Sequence, residues 1–385
     1  MNNIADSRLS PKLALTLSPL ALALASCSYA QTGDSGVEPG VSDPFAITEH
    51  GAYNEPWAAA FAPGTEVLFL TEKSGAVKFY DVASGERGEV RGVPEVDYGG
   101  QGGLGDIAFL PSEAGEVLGP RTIYLSWAEA GENDTRGAAV GRGTLVCEET
   151  AACTIEGLEV IWRQNPKVTG RGHYSHRFAF APDGKYLFIA SGDRQKMQPA
   201  QDPNSDLGKV IRIPIDASGK PTGPAERYSL GHRNILGLQF DGEGRLWDLE
   251  HGPKGGDELN LVQQGKNYGW PVVSDGDHYS GENIPDHATR PEFAAAAIGW
   301  TPVIAPGDFT FITGKLFGDW KGDAIIAGLD AEALVRVSFE GTAATEAARY
   351  PFGKRLREVL EGPDGALYVL EDGEGGRLLR LAPKK

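Results

Sequence analysis

Methionine and cysteine are scarce in this chain, with two Met and three Cys among 385 residues. Long amphipathic helix patterns are missing, apart from short Ala-rich stretches such as Phe293 to Ile298. No second hydrophobic run follows the one near the N-terminus, so no further membrane span is expected. Positive charge is in deficit, with 36 Lys+Arg against 53 Asp+Glu and a formal net charge of -17. An acidic protein is repelled by nucleic acid and by anionic membrane surfaces, and neither is expected as a partner. No composition shift after about residue 44 marks a domain border, so residues 44–385 read as one domain.

The first thirty residues have the layout of a secretory signal. Arg8 and Lys12 supply a positive start, Leu13 to Ala25 form an apolar run too short to span comfortably, and small residues follow. Two cleavage sites compete. Leu24-Ala25-Ser26-Cys27 looks like a bacterial lipobox that would put a lipid anchor on Cys27, whereas Ser28-Tyr29-Ala30 would serve an ordinary signal peptidase. Either way the protein is expected to be exported, periplasmic or lipid-anchored to a bacterial membrane, with residues 31–43 as a flexible tether. In an oxidising compartment Cys147 and Cys153 could close a small hairpin disulfide; two unpaired thiols are the alternative. No His or second Cys pair stands nearby to make a metal site of them.

Glycine, by contrast, is abundant at 52 residues, and with 25 Pro it suggests many turns between short strands. A signature recurs: an aromatic or Leu, a tight turn of Pro, Asp and Gly, then alternating apolar residues. It runs from Phe61-Ala62-Pro63-Gly64 into Val67-Leu68-Phe69-Leu70, and from Phe109-Leu110-Pro111, after a loop, into Thr122-Ile123-Tyr124-Leu125. It returns at Phe180 to Gly184, Phe240 to Gly244, Trp320 to Asp323 and Gly362 to Gly365, each followed by a strand-like run. Six unequally spaced occurrences predict an all-β chain, a six-bladed β-propeller of four-stranded antiparallel blades. A β-sandwich or jelly roll would not explain the recurrence. Chemistry is expected in the loops between the signatures.

Three loops concentrate polar residues. Arg171-Gly172-His173-Tyr174-Ser175-His176-Arg177 runs into a strand, and the strand after it ends at Ser191-Gly192-Asp193-Arg194. His173 and Asp193 at the two ends of one hairpin could meet as a general base and the carboxylate that orients it; a His hydrogen-bonded to a turn is the plainer alternative. Gly231-His232-Arg233-Asn234 is followed, after a strand, by Glu250 to Asn260, whose carboxylates and exposed Gly-Pro carbonyls make calcium plausible; a solvated turn is the alternative. In Lys354-Arg355-Leu356-Arg357, an extended backbone would put Arg355 and Arg357 on one face, a fork for a polycarboxylate or phosphate. A surface charge pair is the plainer explanation of that doublet.

Taken together these stretches resemble the soluble quinoprotein sugar dehydrogenases, the glucose/sorbosone and aldose sugar dehydrogenases. The resemblance covers nearly the whole mature chain. It includes Pro56-Trp57, Thr71-Glu72-Lys73-Ser74-Gly75, Gln101-Gly102-Gly103-Leu104 and, as the most specific stretch, Gly231-His232-Arg233-Asn234 through Asn267-Tyr268-Gly269-Trp270-Pro271. It implies pyrroloquinoline quinone on calcium at the propeller mouth, a sugar substrate oxidised at its anomeric hydroxyl, and an electron acceptor that the sequence does not identify. It further implies His173 as base, Asp193 as its neighbour, and Gln101, Arg233, Asn234, Arg355 and Arg357 as cofactor contacts. Tyr279, in Asp277-His278-Tyr279-Ser280-Gly281, would line the same pocket. The carbonyls of Gly252 and Pro253 would ligate the catalytic calcium, and Glu258 with the carbonyl of Tyr268 a second, structural one.

This chain departs from the family at several points. Asp330 follows Gly328-Leu329 where the family often has a Lys, Ile235-Leu236 replaces Pro-Gln, and Val303 fills a position that is polar in some relatives. Two other readings remain: a non-redox propeller that binds a ligand or partner, and a calcium-dependent sugar-lactone hydrolase.

Overall fold

The computed structural model describes residues 44–147 and 152–384; the signal, the tether and Cys27 lie outside them. The described residues form a six-bladed β-propeller of four-stranded antiparallel sheets. Innermost strands Pro56–Phe61, Leu104–Phe109, Ser175–Phe180, Ile235–Phe240, Pro306–Phe311 and Leu356–Glu361 open blades 1 to 6 in chain order. Each innermost strand contacts the next around the ring, and the last returns to the first. The ring is closed by sequence-distant pairing: Phe45–Asn54 adds to Glu374–Pro383 as the outer strand of blade 6.

The recurrent signature is the turn from the first to the second strand of each blade. At that turn blades 1, 3, 4, 5 and 6 carry Gly64, Gly184, Gly244, Gly322 and Gly365, each with a positive φ that a side chain would strain. Blade 2 uses a short 3-10 turn, Pro111–Glu113, instead. Second strands such as Val67–Glu72 and Leu367–Glu371 are buried throughout, because neighbouring blades cover both faces, so their apolar runs are continuous. The Ala-rich stretch after Phe293 forms no helix. Ala294 and Ala297 donate instead to the carbonyls of Asn267 and Leu259. Cys147 and Cys153 are bonded, joining the facing ends of Arg136–Cys147 and Cys153–Arg163 in blade 2. Among the described residues no helix is long and apolar enough to cross a membrane.

One side chain on the axis meets every blade. Arg177, on the innermost strand of blade 3, lies 4.1 Å over the Trp57 ring of blade 1 and 3.3 Å from Asp106 of blade 2. It donates to the Leu236 carbonyl of blade 4, sits 3.9 Å from Asp308 of blade 5 and 2.7 Å from Glu358 of blade 6.

Candidate active site

In an antiparallel blade, the start of the first strand and the end of the second emerge at the same mouth. Residues just outside those two points converge from all round the ring. Lys73, His251, Leu329 and Asp372 each directly follow a second strand; Glu55, Asn234 and Arg355 directly precede a first one. With Gln101, Trp57, Tyr174, His176, Leu236 and Arg357 they line a cavity of about 300 Å³.

His173 is tied to this cavity's wall through Gln101 and its chain neighbour Tyr174. Its backbone N–H donates to Gln101 Oε1 at 2.7 Å, and its Nδ1 lies 2.6 Å from Asp193 Oδ1. The approach depends on Gly192, where a Cβ would stand 2.1 Å from the His173 carbonyl oxygen. His173, Ser175 and His176 all hold left-handed φ values of 48°, 60° and 56°, and such strain collects where a loop is shaped for a task. Burial holds the His173 imidazole below its ordinary range despite the upward pull of Asp193. Burial alone would raise Asp193, but its bonds from His173, Trp270 Nε1 and the Gln195 N–H outweigh that and keep it below the usual carboxylate range. The pair is thus a neutral imidazole on an ionised carboxylate. A carboxylate only accepts, so Nδ1 carries the proton and Nε2 presents its lone pair.

The other imidazoles at the mouth are set up differently. His176 is pushed down to about 3 by burial, bonds Ser126 Oγ at 2.8 Å and stacks on Trp57. His251 is likewise pushed to about 3 by burial, and its Nε2–H donates to the Pro306 carbonyl at 2.6 Å. Neither has a carboxylate partner among the described residues.

Charge around the cavity suits an anion. Arg355 and Arg357 share one carboxylate, Asp372, and Lys73 pairs with Glu55 at 3.2 Å. Arg233 lies over the Trp270 ring and bonds the His251 carbonyl, while its buried Nε has no partner. Three cations, Lys73, Arg355 and Arg357, therefore face two carboxylates, Glu55 and Asp372, with Arg233 bonded to the wall residue His251, in a protein that is strongly acidic as a whole. The buried Tyr174 hydroxyl in the cavity wall is also without a partner. A planar polycarboxylate such as pyrroloquinoline quinone fits this donor set.

Gly252, Pro253, Glu258 and Tyr268 line a smaller concavity that also holds Arg233 and shares His251 with the cavity. All four expected calcium ligands thus come to one place. Glu258 is held well above the usual carboxylate range, first by burial and then by Glu250, and Asn260 Oδ1 beside it is buried without a partner. Hard oxygen donors short of positive charge are what calcium takes. The Tyr268 carbonyl now accepts from His287 Nε2 at 3.0 Å. Behind this concavity His232 Nδ1 lies 3.1 Å from both Asp248 and Glu250. Burial opposes its charge, but the two carboxylates prevail and raise it to about 9, so it is an imidazolium.

Of the residues expected from the sequence, Gln101, Asn234, Arg355 and Arg357 line the cavity, and His173, Asp193 and Arg233 adjoin it. Tyr279 does not come to the cavity. It is 75 % exposed at the tip of a turn closed by bonds between His278, Gly281 and Glu282. Asp330 is exposed, and the cavity wall there is Leu329. Lys73, Glu55, His251 and Asp372 were not singled out. Their positions directly beside the first two strands of their blades were the available signal.

Fold and site together define a propeller whose mouth sets a carboxylate-bonded neutral imidazole beside a cation-rich pocket. The chain belongs to the glucose/sorbosone dehydrogenase family, whose model matches residues 53–380. It is 34 % identical over 347 residues to aldose sugar dehydrogenase YliI of Escherichia coli, covering 86 % of this chain and 91 % of that one. It is 25 % identical over 407 residues to quinoprotein glucose dehydrogenase B of Acinetobacter calcoaceticus, covering 84 % of each. Among solved structures, the apo form of the soluble E. coli aldose sugar dehydrogenase matches with a TM-score of 0.79 at 32 % identity, over 88 % of this chain and all of that one. The form of the Streptomyces coelicolor aldose sugar dehydrogenase described as bound to pyrroloquinoline quinone matches with a TM-score of 0.69 at 25 % identity, over 88 % of this chain and 98 % of that one.

Proposed function

We propose that this chain is an exported quinoprotein that oxidises aldose sugars at the anomeric hydroxyl, using pyrroloquinoline quinone and calcium. The observation that carries the reading is the His173–Asp193 pair, 2.6 Å apart, beside a pocket with more cations than carboxylates. Gln101, Asn234, Lys73, Arg233, Arg355 and Arg357 would hold the quinone, the carbonyls of Gly252 and Pro253 a catalytic calcium, and Glu258 with the Tyr268 carbonyl a second, structural one. When bound, the quinone supplies a carbonyl carbon that takes up hydride, with calcium polarising that carbonyl. His173 Nε2 takes the proton of the anomeric hydroxyl, while Nδ1–H stays on Asp193 and the carboxylate stabilises the imidazolium that forms. The sugar thereby loses a hydride and a proton and leaves as a lactone.

The test is reconstitution of purified protein with the quinone and calcium, assayed with aldoses and an electron-accepting dye. Dye reduction is expected, and His173→Ala is expected to lose at least about a hundredfold in rate while still binding the quinone. No absorbance change and no thermal stabilisation on titration with quinone and calcium would overturn the reading.

A further inference from the structure

Arg194 follows the carboxylate partner of the base, and its environment is unusual. Its side chain is buried, and every hydrogen bond it makes is to a main-chain oxygen. Nε donates to Gly172 at 2.8 Å, Nη2 to Gly170 at 2.6 Å and Nη1 to Arg136 at 2.7 Å. The guanidinium lies 3.7 Å from the centre of the Tyr174 ring. Its own N–H donates to the His173 carbonyl at 3.2 Å. The fork thus grips residues 170, 172 and 174, on both sides of His173, and ties them to blade 2. Burying a cation without a carboxylate in contact is costly, and burial lowers Arg194 to about 10.

We propose that Arg194 is a positioning residue for the dehydrogenase reaction, seating the His173 imidazole against Asp193 by holding its loop from beneath. This rests on the reading of His173 as the base.

The groups facing His173 are known from each side. Asp193 and Arg194 come from the end of the second strand of blade 3, Arg233 and His251 from blade 4, and neutral Gln101 from blade 2. Arg194 and Arg233 both disfavour a proton on His173. Loss of Arg194 removes one of these charges and frees the loop. An imidazole released to water titrates near 6.5, above its seated value, so both effects move the titration upward.

The decisive measurement is the His173 titration by NMR on the full chain with labelled imidazoles, for the natural protein, Arg194→Met and Arg194→Lys. The midpoint is expected to rise by about half a unit or more in Arg194→Met and by less in Arg194→Lys, which keeps the charge without the fork. In the reconstituted enzyme, the acid limb of kcat/KM should move the same way, with kcat falling at least about tenfold and KM for the sugar changing less than about threefold. Equal midpoints in all three proteins would overturn the proposal. If even the natural protein shows no dehydrogenase activity, the functional reading fails, and the titration still decides whether Arg194 seats the imidazole. Should Arg194→Met not fold, Arg194→Lys with an unmoved midpoint and kcat overturns it alone.

Discussion

Asp193 accepts four hydrogen bonds. His173 Nδ1 and the Gln195 N–H reach Oδ1, and Trp270 Nε1 and the Met197 N–H reach Oδ2. Every acceptor site is matched to a donor, so an amide in its place must set an NH₂ against another N–H. Where the NH₂ faces His173, the imidazole can accept from it only by moving its proton to Nε2, which removes the lone pair that takes up the substrate proton. Asp193→Asn is therefore expected to fold and bind the quinone, yet lose about 10² to 10⁴ in kcat, with KM little changed. Steady-state kinetics on the reconstituted variant checks this, and a loss confined to KM would refute it. At this scale the site was legible where residue type and strand position coincide. His173 and Asp193 stand at opposite ends of one hairpin, and the structure pairs them. Tyr279 was misread because its place depends on a ribbon formed when Gly276–Asp277 pairs with Lys254–Gly255, a contact that alternation cannot forecast. Lys73 went unassigned because a lone Lys after a strand looks like any solvated cation until the ring brings it beside Gly100.

Strands and turns were more readable than side chains. The turn from first to second strand repeats in every blade, because the chain must reverse at the far mouth six times, and five of those reversals use a left-handed glycine. The outer strands are less regular in sequence, with exposed positions such as those of Arg87–Val90 and Ala343–Pro351, and they left little periodic signal. The small sheet beside the expected calcium ligands was also unforeseen. The disulfide belongs to this scale. It closes the hairpin of two long strands in blade 2, in the core cluster that Cys153 shares with Leu145 and Ile155. A bridge over so few residues restrains the unfolded chain modestly, by about 2 kcal/mol. The double substitution Cys147→Ser with Cys153→Ser is expected to lower the thermal midpoint by a few degrees, with quinone affinity unchanged. Calorimetry and a quinone titration measure the two effects separately, and a change in affinity would tie the hairpin to the distant mouth.

Over the whole molecule, charge is segregated. Cations gather at the mouth of an acidic ring, while on the axis one guanidinium is set among Asp106, Asp308 and Glu358. Three carboxylates around one cation, all buried, cannot all be ionised cheaply. Burial is the main cause that raises all three, with Asp308 pushed up to about 6. A carboxyl whose folded pKa lies above its unfolded one stabilises the fold fully below the unfolded value, and that contribution is lost as pH rises through the folded value. For Asp308 the window runs from about 4 to about 6. Buried His176 and His251, both pushed down by burial, work in the opposite direction over part of that range, so the midpoint of the natural protein alone is not diagnostic. A comparison cancels them. Asp308→Asn, a permanent stand-in for the protonated acid, should gain on the natural protein between about pH 4 and about pH 6 and hold that gain at higher pH. Arg177→Met removes the shared partner from all three acids and should cost about 3–5 kcal/mol at neutral pH, because it leaves buried charge uncompensated. That cost should shrink at pH 5, where Asp308 holds its proton. A penalty equal at both pH values would mean that Arg177 matters for its packing on Trp57 rather than as the counter-charge joining the six blades.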